Sequence, residues 1–267
     1  MGHGPERRFW LHHPPQGGAA RARVLYLHPL AEEMNRSRRM AALQARALAA
    51  AGCEVLQPDL RGCGDSAGEF AEASWQGWIE DALEGCRWLQ QRPGAAPLWL
   101  WGLRAGALLA AEVARALPSP AQLLLWQAPA SGRIVLQQFL RLRLAQALCI
   151  KGEAATLMKS LRAQLDAGTP VEAAGYVLSP ALARGLDAAT LAPPAPAGRL
   201  VWLEVGGTEP GEVAPAAHPT LTAWRAAGWN VLAQRVPGPA FWVTAETETA
   251  PALLQASLQA LLDEVPQ

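Results

Sequence analysis

Leu98-Trp99-Leu100-Trp101-Gly102-Leu103-Arg104-Ala105-Gly106-Ala107 reads as a strand, a sharp corner and the start of a helix. Leu98 to Trp101 is an unbroken apolar run, the pattern of a strand covered on both faces. Small and apolar residues continue from Ala107 to Leu117 at a spacing that suits a helix. Gly102 and Gly106 let strand and helix approach closely at a strained turn, and the side chain between them projects into a crevice. A serine at that corner can attack a carbonyl. Arg104 cannot, because a guanidinium offers no lone pair and stays charged at physiological pH.

Working outward, apolar strand-like runs alternate with helical patterns, which predicts an α/β fold with a mostly parallel sheet flanked by helices. The expected strands are Phe9 to His12, Val24 to His28, Glu54 to Pro58, Gln122 to Gln127, Arg199 to Val205 and Asn230 to Val236. A helix is expected from Ser37, as N-cap, to Ala51, with Gly52 closing it. Such a helix start would also offer free N–H groups to an anion. Trp75 to Gln91 is a second helix, with Ile79, Leu83, Cys86 and Leu89 on one face. Ala252 to Glu264 is the last. Between Ser131 and Pro196 the strand rhythm stops. Val135 to Ile150 and Glu153 to Ala167 read as helices, and Pro193-Pro194-Ala195-Pro196 as a linker. The expected division is a core of residues 1–130 and 197–267 with an all-helical insertion, 131–196, lying as a lid over the carboxyl ends of the strands.

Composition narrows the function classes. Half of the 267 residues are hydrophobic (51%) and only 17% are charged, which excludes a disordered chain. Lys+Arg and Asp+Glu balance at 23 each, so no global field recruits nucleic acid or an anionic membrane. No apolar run approaches the roughly 20 residues of a membrane span, and Met1 to Leu11 lacks the apolar centre of a secretory signal. Cys53, Cys63, Cys86 and Cys149 show neither Cys-x-x-Cys pairing nor metal-ligand spacing. They read as reduced thiols of a cytoplasmic protein without metal or cofactor. The 11 tryptophans, several at strand ends (Trp99, Trp101, Trp126, Trp202, Trp242), are either core packing or the lining of an aromatic pocket.

The order of elements resembles the α/β-hydrolase fold over nearly the whole chain. His28-Pro29 ends the strand whose following loop, in that fold, helps to build the oxyanion hole. Asp59-Leu60-Arg61-Gly62-Cys63-Gly64-Asp65-Ser66 is similar to the Asp-x-Arg-Gly-x-Gly-x-Ser loop of these hydrolases, and reads here as a hydrogen-bonded tight turn. A finer resemblance, to the second type of exosortase-A-system-associated hydrolase, lies in His28-Pro29-Leu30-Ala31-Glu32-Glu33-Met34-Asn35 and Ser37-Arg38-Arg39-Met40. It recurs in Leu100 to Ala107 and in Gln137-Gln138-Phe139-Leu140-Arg141-Leu142-Arg143. One departure is a short amino terminus without the usual first antiparallel strand. That resemblance implies a bacterial protein working beside exopolysaccharide and protein-sorting machinery, with partners in that system.

In the fold's order of nucleophile, acid and histidine, Arg104 holds the first position and Glu209 the expected offset of the second. Phe241 stands roughly where the histidine belongs. His218 lies before the last strand, and His3, His12 and His13 lie near the start, so only His28 is expected near the crevice. Arg104 is expected either to pair with Glu32 or Glu33, or to receive an anionic group. Gln137, Gln138, Arg141 and Arg143 read as a solvated rim of the insertion. The expected ligand-binding set is Arg104, Glu33, His28, Asn35, Trp101 and Phe241. Two functions fit these residues. One is a ligand-binding or accessory protein with a broken triad, taking a small or anionic molecule in a lidded pocket. The other is an active hydrolase of ester, acyl or glycosyl bonds that uses a displaced set such as His28, Glu33 and Glu209.

Overall fold

The computed structural model describes residues 7–146, 153–244 and 246–263. Its first half runs β1 (Trp10–His13), β2 (Arg23–Leu27), α1 (Glu32–Ala50), β3 (Glu54–Pro58), α2 (Trp75–Gln90), β4 (Leu98–Leu103), α3 (Ala105–Ala116) and β5 (Gln122–Trp126). The inserted segment follows as α4 (Gly132–Gln146), α5 (Glu153–Asp166), β6 (Val171–Ala173), β7 (Tyr176–Leu178) and α6 (Pro180–Ala188). The chain then returns through β8 (Arg199–Val205), α7 (His218–Ala226), β9 (Asn230–Val236) and α8 (Pro251–Leu262). Seven strands form one sheet in the order β1-β3-β2-β4-β5-β8-β9. Only β1 runs antiparallel, against β3.

Successive side chains of a strand point to opposite faces, and here each face feeds its own core. Leu25, Leu27, Leu100, Leu123, Leu125 and Trp202 join α2, α3 and α7 in one cluster. Val24, Tyr26, Trp99, Trp101, Leu124, Trp126 and Val201 join α1 and α8 in the other. Most of the tryptophans are therefore packing residues, and several of their indole N–H groups find acceptors. Trp126 donates to Ser257 Oγ at 2.8 Å, Trp224 to the Leu191 carbonyl at 2.6 Å and Trp229 to the Pro194 carbonyl at 3.0 Å.

Two expectations about local structure are corrected. Helix α1 starts five residues before Ser37, which is fully buried inside it and donates from Oγ to the Glu33 carbonyl at 2.8 Å. Ser37 is thus no N-cap, and no free N–H groups are presented there. The helix begins instead from Ala31, whose φ of 53° turns the chain without a side-chain cap. The inserted segment is also not all helical. Ala174 and Gly175, at φ 51° and 80°, make a tight turn that pairs β6 with β7. Two positive-φ residues give the backbone twist that closes such a hairpin. The segment follows β5, the fifth strand in chain order. The expected helix ends at Ile150 and Glu264, and Cys149, lie outside the described residues.

The insertion packs down on the core. Val135, Leu136, Phe139 and Leu140 of α4 and Leu182, Ala183 and Leu186 of α6 belong to the same buried cluster as α2 and α3. A Cβ on Gly185 would stand 2.2 Å from Trp75 Cβ, so this glycine sets how closely α6 meets α2. Ser179 fixes the start of α6, accepting from Leu182 N at 2.9 Å and donating to the Ala73 carbonyl.

Candidate ligand pocket at the glycine-framed corner

Adjacent strands β2 and β4 send their following helices to opposite faces: α1 packs with α8, and α3 with α2. Where neighbouring parallel strands diverge in this way, a crevice opens beyond their carboxyl ends. Leu30 to Glu33 and Arg104 sit at those two ends. Arg104 holds φ 56° and ψ −118°, a strained conformation for a residue with a Cβ. The framing glycines are required by contact. A Cβ on Gly102 would lie 2.3 Å from the Gly106 carbonyl oxygen, and one on Gly106 would lie 2.0 Å from that of Leu27.

The guanidinium of Arg104 is held from several sides. Its Nε and Nη2 donate to Glu33 Oε1 at 3.3 and 3.2 Å. Nη2 also donates to Gln138 Oε1 on α4, which links the corner to the insertion. The guanidinium carbon stands 5.7 Å from the centre of the Trp242 ring, within reach of a cation–π contact. Arg104 and Glu33 side chains are 11% and 13% exposed. Burial pushes the Glu33 carboxyl above its ordinary range; Arg104 pulls it down without cancelling that effect, and neighbouring Glu32 adds to it. Burial raises Glu32 as well.

A cavity of about 350 Å³ opens over this group. Leu30, Val135, Phe139, Leu142, Ala240 and Trp242 make its apolar wall, while Glu32, Glu33, Arg104 and Gln138 supply its polar end. Val243, 53% exposed, stands at its edge. An apolar cleft of this size with a few convergent polar groups is the usual form of a small-molecule site.

The other residues expected at the site do not join it. His28 is buried against Trp78. Its Nδ1 lies 2.8 Å from the Pro29 carbonyl and its Nε2 accepts from Leu60 N at 3.4 Å, so both ring nitrogens are occupied by backbone. Burial lowers its pKa, favouring the neutral ring. Glu209 is exposed and does not line the cavity. Trp101 is fully buried in the sheet core, packed between Tyr26 and Trp126. Phe241 is buried against Trp126 and Trp242. Asn35 is exposed and donates to the Tyr176 hydroxyl of β7 at 3.0 Å. Of the expected set, only Arg104 and Glu33 line the cavity.

Gln138 and Trp242 stand outside the expected ligand-binding set yet line the cavity; of the tryptophans offered as core or aromatic pocket, Trp242 is the one at this cavity. Gln138 is part of the cavity wall instead of a solvated rim, for Val135, Gln138, Phe139 and Leu142 recur at helical spacing and line the cavity together. That stripe is visible in the sequence.

The three cysteines among the described residues are poorly placed as nucleophiles. Cys53, Cys63 and Cys86 are buried, and burial pushes their thiols up to about 11, 12 and 12. Among the described residues no three His, Cys, Asp or Glu side chains converge as a metal site. No helix among them is long and apolar enough to cross a membrane.

Residues 18–173 match the family described as serine aminopeptidase, S33 (Hydrolase_4). Among curated relatives, the human Protein ABHD12B is 35% identical over 94 residues, 35% of this chain and 25% of that protein. The lysophosphatidylserine lipase ABHD12 of Danio rerio is 33% identical over 112 residues, 42% of this chain and 26% of the relative. The chain thus matches about a quarter of these relatives' length. Among solved structures, Est1E from Butyrivibrio proteoclasticus, in a structure with ferulic acid bound, shares the fold at a TM-score of 0.67. It is 13% identical, with 97% of this chain and 96% of that one covered. Mouse alpha/beta hydrolase domain-containing protein 10 superposes at 0.57 with 14% identity, covering 97% and 95%. With the elbow geometry, the sheet order and the match over more than half its length, this chain belongs to the serine aminopeptidase S33 family of α/β hydrolases.

Proposed function

We propose that this protein is a non-catalytic member of its family that holds a neutral amphipathic molecule in the pocket above Arg104, with the insertion acting as its lid. One observation carries the reading. The side chain at the nucleophile corner is a guanidinium tied to Glu33 and Gln138, and the histidine near the crevice has both nitrogens committed to backbone. Without a hydroxyl or thiol activated by a base, the acyl-transfer relay of the fold has neither its first nor its last member. The displaced set His28, Glu33 and Glu209 finds no support, since those side chains do not share the cavity.

The pocket's charge argues for the ligand class. Arg104 is matched by Glu33, and Glu32 adds a second carboxyl to the wall. A strongly anionic head would meet more carboxyl than guanidinium there. A neutral acceptor, such as a carbonyl or a sugar hydroxyl, can take the Arg104 Nη1–H while an alkyl or aryl body covers Phe139, Leu142 and Trp242. The runs shared with exosortase-A-system-associated hydrolases support a place beside exopolysaccharide and protein-sorting machinery, as an accessory that carries or senses such a molecule.

Calorimetric titration with octyl glucoside and with octanoate tests this. The expected result is saturable binding of octyl glucoside below its micelle concentration, stronger than that of octanoate. Arg104→Met and Leu142→Glu should each weaken it at least tenfold. No binding of either probe, or a preference for octanoate, would overturn the ligand assignment.

A further inference from the structure

A second cavity lies on the other side of α4, independent of the pocket above Arg104 and sharing no lining residue with it. It has a volume of about 320 Å³ and sits among α4, α5 and α6 of the insertion. Each helix contributes one arginine: Arg133 from the first turn of α4, Arg162 from α5 and Arg184 from α6. Two carboxylates, Asp166 and Asp187, share the wall. Asp187 is already engaged twice, with Arg162 Nη1 at 3.2 Å and Arg133 Nη2 at 3.7 Å. Arg184 makes no ion pair among the described residues, and Nη2 of Arg162, a lining residue, is buried without a hydrogen-bond acceptor.

Asp187 thus acts as a brace. It holds Arg162 by a hydrogen-bonded pair and draws the more exposed Arg133 loosely toward it, without using up their donors, and Arg184, one turn away on the same helix, forms no ion pair of its own. A buried guanidinium nitrogen without an acceptor is costly and uncommon in a folded protein. Several guanidinium forks converging on one hollow match the oxygens of a phosphate, which can accept from more than one fork at once. The hollow also exceeds a bare ion. At about 30 Å³ of liquid volume per water it would hold roughly ten waters, and Leu136, Leu165 and Ala183 line its apolar part. We propose that this cavity is a binding site for a phosphomonoester of a small organic molecule, its phosphate held by Arg133, Arg162 and Arg184 and its organic part on the leucines.

The site is partly exposed, so its affinity falls with salt. Titration of the full-length protein with phenyl phosphate, inorganic phosphate and benzyl alcohol at low ionic strength tests the proposal. Phenyl phosphate should bind saturably at one site and more tightly than inorganic phosphate, and benzyl alcohol should not bind. Arg162→Gln could disturb the Asp187 brace, so the deciding variant is Arg184→Gln, whose side chain is exposed and forms no ion pair. With folding verified by circular dichroism, Arg184→Gln should weaken phenyl phosphate at least fivefold, and Arg184→Lys should recover part of the loss. No saturable binding, or binding undiminished in Arg184→Gln, overturns the proposal. So does loss of binding in Arg104→Met with Arg184→Gln unaffected, which would put the phosphate in the other pocket.

Discussion

Arg104 meets Glu33 through Nε and Nη2, and both bonds fall on the same oxygen, Oε1. Oε2 of Glu33 is left buried without a hydrogen-bond partner among the described residues. The pair is therefore one-sided, in contrast to the two parallel bonds of a fork-to-fork contact. Such a pair holds geometry more than it adds stability, because removing two charges from water offsets much of their attraction.

Replacing Glu33 by glutamine keeps an oxygen acceptor for Arg104 but removes its counter-charge, so it tests the balance between burial and ion pairing. Its clearest effect is on pH dependence. A carboxyl whose folded pKa lies above its unfolded value binds protons more readily in the native state. Its contribution to stability is greatest at acidic pH, and declines as pH rises from the ordinary value of 4.5 through the raised folded value. The difference in stability between the wild type and Glu33→Gln, followed by urea unfolding from acid to neutral pH, should fall as pH rises. A difference that grows with pH would mean that the ion pair outweighs burial.

Arg104 is the principal group that lowers the Glu33 pKa. Arg104→Met should therefore move the Glu33 titration further upward, read from the carboxyl carbon resonance by NMR. An unchanged midpoint would mean that the two side chains do not interact in solution.

Gly106→Ala tests the elbow itself. The added Cβ would press on the Leu27 carbonyl oxygen at 2.0 Å, backbone against backbone, with no flexible side chain to yield. Overpacking typically costs about 1–3 kcal/mol and sometimes more, and this variant should fall at or above the upper end. A chemical-denaturation midpoint equal to that of the wild type would show that the corner has room for a methyl group at Gly106.

The fold was legible because the sheet is buried on both faces. Continuous apolar runs such as Leu200–Leu203 announce parallel strands, and β3, β8 and β9 fall on the residues expected of them. The corner was legible from Gly102 and Gly106. The start of α1 was misread because Ser37 is a good N-cap by type, whereas in the fold it bonds back to the preceding turn. The hairpin at Ala174-Gly175 escaped because each of its strands is three residues long, too short to show alternation. Of the site, Arg104 and Glu33 could be found because their elements follow adjacent strands. His28, Trp101, Asn35 and Phe241 lie close in sequence to the crevice, but their side chains point into the core, the backbone or the surface. Sequence spacing fixes which strand end a residue occupies, and packing decides where its side chain goes.

Arg104→Ser restores a hydroxyl at the corner without restoring a base. His28 stays engaged with Pro29 and Leu60, and Phe241, buried against Trp126 and Trp242, offers no base. This variant should show no esterase activity above the uncatalysed rate on p-nitrophenyl acetate or butyrate. Measurable turnover would mean that another base reaches the corner.

The most direct test of the central claim is reaction of the purified wild-type protein with a fluorophosphonate, run beside a short-chain acyl ester assay. A corner occupied by a guanidinium and lacking an activated hydroxyl should leave the protein unlabelled and the ester intact. A single labelled serine, with turnover that the label abolishes, would contradict it.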